Sequence, residues 1–447
     1  MPQRSRSRGR RRATPLVSVA ALAAVGVMAP ATFLSSAAAQ PVPKDQLIGG
    51  LLVADLSLDG VWITRDLDGD GNARDAGESS IWFDASNESG LPEPTGSPFS
   101  LFVSIDRSVF VGDGGTDSVY RLVDLNNDRD ANDAGEATVW FSAAASGADL
   151  ATPNGLWQDD AGALYILTAG TSSTQDAIYR TIDLNDDGDA LDPGEASLWF
   201  DLQSLVPDSS AFELVFIGEA AFFVDLLGSG TDAIIRAVDA DGDGMIEAGE
   251  FDVFLDDANP FGVAIGLALA TDGQGLYVME NLGSQEQILY RLEDLNGDGF
   301  IDAFDEVTEL WNESLVPDGV ELGSSNALAV GPDGQVMVAS SGGTAADNLF
   351  RLVDVDGDGR FLGAGETLLY LDGGDGSGDL LDNPRSLAHA LPRVGDVNAD
   401  DRIDFNDVLE LLALFGPCSA CPADQDFDGD VDFDDLLLVL ANFDPRG

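Results

Sequence analysis

A six-bladed β-propeller followed by a small helical module is predicted by three observations. An acidic phrase returns six times, every unit around it holds four short β-type runs, and the pattern changes after Pro392. The phrase reads ITRDLDGDG (63–71), YRLVDLNND (120–128), YRTIDLNDD (179–187), IRAVDADGD (235–243), YRLEDLNGD (290–298) and FRLVDVDGD (350–358). Its first Asp falls at 66, 124, 183, 239, 294 and 354, giving spacings of 58, 59, 56, 55 and 60 residues. Self-similarity at a fixed period marks a repeat architecture.

Taken in chain order, the first element lies outside the fold. Arg4, Arg6, Arg8, Arg10, Arg11 and Arg12 form a basic region, Leu16 to Leu34 is largely apolar, and Ala37-Ala38-Ala39 offers a cleavage site before Gln40. Residues 1–39 therefore read as a secretory signal peptide. Arg11-Arg12 permits twin-arginine export, but the flanking residues suit general secretion better. The following sequence has no second apolar span long enough to cross a bilayer.

The units over 40–392 read as β. In the last of them NALAVGPDG, QVMVASS, NLFRLVD and ETLLYLD are short alternating or β-branched runs divided by Gly, Asp and Pro turns. Four strands in roughly 40–60 residues is a propeller blade. No unit shows a sustained 3.6-residue period, which argues against helical repeats. The first unit starts at LLVADLS, equivalent to the second strand of the others, and NPRSLAHAL (383–391) resembles the missing first strand. A C-terminal strand completing the N-terminal blade closes the ring and leaves no open edge across that blade. Trp82, Trp140, Trp199, Phe254, Trp311 and Tyr370 occupy matching places in the last strand of their units and read as packed scaffold.

The acidic phrases carry the clearest chemistry. Ca²⁺ takes six to eight oxygen ligands, so a loop serving it needs several carboxylates converging on one point. Positions 1, 3 and 5 are Asp66, Asp68 and Asp70; Asp124, Asn126 and Asp128; Asp183, Asn185 and Asp187; Asp239, Asp241 and Asp243; Asp294, Asn296 and Asp298; and Asp354, Asp356 and Asp358. Closing carboxylates are Glu78, Glu136, Glu195, Glu250 and Glu366, with Asp305 or its neighbour Glu306 in the fifth unit. Strands flank these loops, so they resemble the calcium-bearing hairpin loops of integrin-type propellers more than EF-hands. Arg129 stands at position 6, where the other five loops have Gly, and is expected to strain its turn and weaken that site.

After Pro392, GDVNADDRIDFNDVLELLALFG (395–416) and ADQDFDGDVDFDDLLLVLANF (423–443) form two loop-plus-helix units 28 residues apart. Their ligand positions are Asp396, Asn398, Asp400, Asp404 and Asp407, then Asp424, Asp426, Asp428, Asp432 and Asp435. This duplicated arrangement over the last 53 or so residues resembles a type I dockerin. The resemblance implies paired calcium loops and, in the family, attachment of secreted enzymes to scaffolds through cohesin domains. Two departures set limits: Asp401 replaces Gly at position 6, and positions 10 and 11 are Phe405-Asn406 and Phe433-Asp434 in place of the family's frequent Ser/Thr. Calcium binding carries over and cohesin recognition does not follow. Cys418 and Cys421, the only cysteines, read as a local disulfide bracing the linker.

Charge narrows the partners. Without the leader, 15 basic residues face 80 acidic ones, a net charge of −65. Nucleic acid and anionic lipid need basic surface and are excluded. The loops hold 42 of the 80 acids, so calcium would neutralise much of this charge. A glycan or an extracellular protein is the expected partner.

Evidence for catalysis is thin at this level. Six-bladed propellers include lactonases with a metal at the channel mouth, yet the aligned channel positions are Phe99, Asn154, Phe212, Ile265, Asn326 and Arg385, with only Glu213 nearby as an acid. His389, the sole histidine, sits in the closing strand and reads as a packed residue. The expected function is that of an exported calcium-binding propeller acting as a binding or surface-associated module. The alternative is a carbohydrate-active hydrolase, lyase or lactonase carried on a dockerin-like tail.

Overall fold

Second strands such as VFVGD (109–113), AAFFVD (220–225) and LYVME (276–280) are apolar on both faces, and each is buried along its whole length. They lie inside four-stranded antiparallel sheets, of which the described residues form six. The structure is a computed structural model. It describes residues 49–443 except 92–96, 147, 149, 160, 171–175, 207, 227–230, 281–286, 318–321, 332–333, 342–346, 374–380, 401, 419–422 and 426–429. The leader, Asp401, Cys421, Asp426 and Asp428 therefore lie outside the described residues.

The inner strands are Pro384–Ala390, Pro98–Val103, Thr152–Gln158, Ala211–Ile217, Leu269–Thr271 and Ser324–Val330, for blades one to six. Each packs on the next around a closed ring, and the sixth meets the first. Ring closure is by the C-terminal strand: Leu51 pairs with His389 and Val53 with Leu387, completing blade one as expected.

The last strand of every blade carries a β-bulge at one place. Trp82, Trp140, Trp199, Phe254, Leu310 and Tyr370 are the residues skipped in the ladder. In the fifth blade the expected equivalence is thus off by one: Leu310 takes the bulged place, and Trp311 takes that of Phe141 and Phe200. The pattern of aromatics hid this shift because both residues are buried, Trp311 completely. The scaffold role of the aromatics is otherwise as expected, all six being buried.

A bulge frees one carbonyl from its own ladder, and the next blade uses it. The N–H at position 8 of each acidic loop donates to the bulged carbonyl of the preceding blade. The pairs are Ala73 to Tyr370 (2.9 Å), Ala131 to Trp82 (2.8 Å), Ala190 to Trp140 (2.8 Å), Ile246 to Trp199 (2.6 Å), Ile301 to Phe254 (3.1 Å) and Phe361 to Leu310 (2.8 Å). All six position-8 side chains are buried. The acidic loops are therefore the clasps between blades.

Blade five departs from its neighbours. Its inner strand has only three residues, and Ile265 precedes it outside any strand. Asn259 explains the loss: its Oδ1 accepts from the amides of Phe261, Gly262 and Val263, holding that segment as a loop.

The C-terminal segment folds as two helices, Phe405–Ala413 and Phe433–Ala441, that pack together. Asp404 and Asp432 cap them, with Asp407 and Asp435 completing capping boxes. The segment docks on blade two. Arg107 Nε donates to the Pro392 carbonyl (2.8 Å) and its Nη2 to Gln425 Oε1 (3.2 Å), while Asn127 Nδ2 donates to the Val394 carbonyl (3.2 Å). Cys418 is disulfide-bonded. Among the described residues no helix is long and apolar enough to cross a membrane.

Candidate metal loops and central channel

Each acidic loop of the propeller is organised by its first residue. One oxygen of Asp66, Asp124, Asp183, Asp239, Asp294 and Asp354 accepts the position-6 amide at 2.7–2.9 Å. Its other oxygen takes amides from positions 4 or 5, as Gly69 and Asp70 give to Asp66. Position 6 needs a positive φ, which Gly supplies without a Cβ penalty. Arg129 adopts φ +84 there, matching Gly71 at +92 and Gly359 at +82, so the expected strain in loop two is present.

The closing glutamates brace the loops from the far side. Glu78 accepts the amides of Leu67 (2.9 Å) and Asp75 (3.0 Å), and Glu195 those of Leu184 (3.0 Å) and Asp192 (2.9 Å). Glu136, Glu250 and Glu366 repeat the pattern. In blade five Glu306 does so and is buried, whereas Asp305 is exposed. The carboxylate at position 13 is therefore the structural equivalent in that loop.

Charge converges between these two braces. Oxygens of Asp66, Asp68 and Asp70 lie within 4.8 Å of one another, as do those of Asp239, Asp241 and Glu250, and of Asp354, Asp356 and Asp358. A residue that sequence spacing had not singled out joins the first loop, where Asp68, Asp75 and Glu78 form a second such group. Asp75 is fully exposed, and Asp68 beside it raises its pKa. In loops two and three the position-3 amides of Asn126 and Asn185 reach Asp133 and Asp192, the counterparts of Asp75. Asn296 reaches Asp302 (3.3 Å). A recurring acid at position 9 or 10 was the available signal.

The tail loops follow the same plan. Asp407 accepts from Val397 (2.8 Å) and Asp404 (2.7 Å), and Asp435 from Gln425 (2.5 Å) and Asp432 (2.7 Å). Asp400 N–H donates to Asp396 (3.2 Å) and to Asn398 (3.0 Å), and Asp396 and Asp424 are buried. The tail touches the second propeller loop through the Asn127–Val394 bond, and burial pushes Asp124 up to about 6. Burial also raises Asp183, its counterpart in loop three, but the amides of Gly188, Asn185, Asp186 and Asp187 outweigh it and hold that carboxyl low.

The channel is the second site. A cavity of about 550 Å³ runs along the inner strands, lined by Leu101, Leu156, Trp157, Leu269, Leu328 and Leu387, with Glu213 and His389 in its wall. Of the aligned channel positions, Phe99, Asn154, Asn326 and Arg385 are each skipped by a register break in their inner strand. Blade four skips Glu213 and Leu214. Bulges re-aim side chains, and here they do so at one level of five inner strands.

Glu213 is the most unusual residue at that level. It holds φ +51, a left-handed conformation that costs a non-glycine residue roughly 1 kcal/mol. Gly155 permits the bulge, since a Cβ there would lie 2.7 Å from the Leu214 nitrogen. Burial raises the Glu213 carboxyl to about 8, although the Arg385 charge pulls it down. No hydrogen bond to that carboxyl occurs among the described residues. Asn154 is buried, donating to the Ala211 carbonyl (3.0 Å), while its Oδ1 has no partner among the described residues.

No protein-family model and no curated protein matches the chain. Among solved structures it is similar to a catalytically inactive virginiamycin B lyase from Staphylococcus aureus with quinupristin, at 15% identity over 71% of this chain and 85% of that one, TM-score 0.38. It is also similar to a PQQ-bound aldose sugar dehydrogenase from Streptomyces coelicolor, at 14% identity, 65% and 84% coverage and TM-score 0.39. A protein of unknown function from Bacteroides caccae gives 10% identity, 76% and 98% coverage and TM-score 0.43. Likenesses this distant give no ground for assigning chemistry.

Proposed function

We propose that the chain is an exported calcium-binding propeller that acts as an extracellular binding module, its calcium being structural. One observation carries this reading: the loop that would hold each ion also clasps the preceding blade through its position-8 amide. The donor set fits the ion. It consists of carboxylate and amide oxygens, without nitrogen or sulfur ligands, which is the chemistry of a hard cation. Carboxylates held this close repel one another, and a bound cation removes that repulsion. In this reading residues 1–39 direct export, 40–392 form the binding propeller, and 393–447 form a dockerin-like module with two further calcium loops. A glycan or an extracellular protein is the natural partner of such a module.

Calorimetric titration of Ca²⁺ into demetallated residues 40–447 tests the reading. Six to eight equivalents are expected, with Kd about 10⁻⁴–10⁻³ M, and the Arg129 loop filling last. Absence of bound calcium in equilibrium dialysis at several millimolar would overturn it.

A second reading, an exported hydrolase or lyase, is supported by Glu213 alone. A carboxyl that stays protonated near neutral pH in a channel wall is equipped to act as a general acid. Turnover found on a panel of polysaccharides and lactones should then fall at least about 100-fold in Glu213→Gln. Unchanged turnover in that variant removes Glu213 from catalysis.

A further inference from the structure

The channel is open at one end and stopped at the other. In a four-stranded antiparallel blade the turn after the inner strand and the turn after the third strand emerge on the same face. Asp106 and Asp159, which follow two inner strands, therefore put the cavity mouth on the same face as the acidic loops. The other end is crossed by Arg385 of blade one. Its guanidinium lies 5.7 Å from the ring of Phe99 in blade two and 5.7 Å from that of Phe212, on the strand diametrically opposite. Its Nη1 donates to the Asn326 carbonyl of blade six at 2.9 Å. Touching three other inner strands and only 6% exposed, this side chain stops the channel on its axis.

Just inside the stopper Glu213 lines the cavity, and the apolar walls from there to the mouth are mainly leucine, alanine and valine. We propose that this blind channel binds an uncharged, largely apolar small molecule, which enters from the acidic-loop face and accepts a hydrogen bond from the Glu213 carboxyl at the closed end. The proposal goes beyond the binding-module reading: it adds a small-molecule site in the channel to whatever partner binds outside.

Three physical arguments set that class. A volume of about 550 Å³ suits a drug-sized molecule. Acidic groups at the mouth repel anions, and apolar walls make any bare charge costly to desolvate. A free sugar would bury most of its hydroxyls against a mainly apolar wall that offers few partners for them, so saccharides are disfavoured inside the channel whatever binds outside. The titratable and charged groups facing Glu213 along the channel are Arg385 at the stopper, His389 in the wall, and Asp106 and Asp159 at the mouth.

Prodan, an uncharged naphthalene with one carbonyl acceptor, is a suitable fluorescent probe for residues 40–447 in calcium buffer. Saturable one-site binding with a micromolar Kd is expected. Ala388→Trp, which fills the cavity, should weaken it more than 10-fold. Glu213→Leu, which removes the donor, should weaken it about fivefold, the worth of one hydrogen bond. Circular dichroism checks that both variants fold, and should Ala388→Trp not fold, Glu213→Leu carries the test. Undiminished binding in the folded variants, or no saturable binding below about 100 μM, overturns the proposal. Calcium uptake is measured separately, so a channel that fails to bind the probe in a calcium-loaded protein overturns this inference and leaves the binding-module reading standing.

Discussion

Chelating calcium is expected to lower the melting temperature of residues 40–447 by on the order of 10 °C or more. A ligand that binds only the native state stabilises it by RT ln(1 + [L]/Kd), about 1.4 kcal/mol per site at ten times Kd. Six propeller loops would then contribute roughly 8 kcal/mol together, comparable with the whole stability of an ordinary domain. The geometry explains why such a loss would be global. Each loop's position-8 amide is bonded to the blade before it, so a loop that opens by charge repulsion also releases an interblade clasp, including the Ala73–Tyr370 bond across the ring closure. The comparison should hold ionic strength constant with NaCl, because simple screening also relieves a net charge of −65. Recovery on adding back Ca²⁺ completes the test. A melting temperature that differs by less than about 2 °C in chelator would mean that the loops are self-sufficient turns.

The architecture was readable because its signals are local and repeated. Six acidic phrases gave the blade count, and NPRSLAHAL showed itself as a displaced first strand by resembling NALAVGP. Position-1 aspartates and closing glutamates were visible for the same reason. The remaining features depend on register, which period alone does not report. Trp311 and Leu310 are both large, apolar and buried, so only the ladder reveals which one is skipped. Ile265 was aligned as a strand residue, whereas Asn259 holds its approach as a loop. The position-8 amides were legible as small or apolar residues, but their acceptors lie in another blade and no spacing marks them. Arg385 is legible as one member of a mixed ring with Phe99, Asn154, Phe212, Ile265 and Asn326, and Glu213 as the acid beside it. Their relation to Phe99 and Phe212 needed the bulges, which aim side chains from opposite sides of the ring at the same axis.

Glu213→Gln should stabilise the protein, and only above about pH 5. In the folded chain burial raises this carboxyl to about 8 from an ordinary value of 4.5. Below pH 4 the group is protonated in both states and contributes nothing. As pH rises through the window from 4.5 to 8 the unfolded chain ionises freely while the folded one stays neutral, so stability is progressively lost. The loss is complete above pH 8. Each unit of displacement corresponds to 1.36 kcal/mol. Allowing for the accessibility that Glu213 keeps along the cavity, the penalty at pH 8.5 is about 2–4 kcal/mol. Gln carries no charge at any of these pH values and escapes the penalty while keeping a donor in the same place. The competing outcome is equally definite. Were Glu213 an ionised partner of Arg385, replacing it would strand a buried guanidinium and destabilise the protein at high pH by several kcal/mol. The faces of Phe99 and Phe212 and the Asn326 carbonyl already attend that guanidinium, which favours the first result. Urea midpoints of both proteins at pH 5 and pH 8.5 decide it: a difference that grows with pH in favour of Gln supports a neutral carboxyl in the channel, and one that grows against Gln establishes an ion pair.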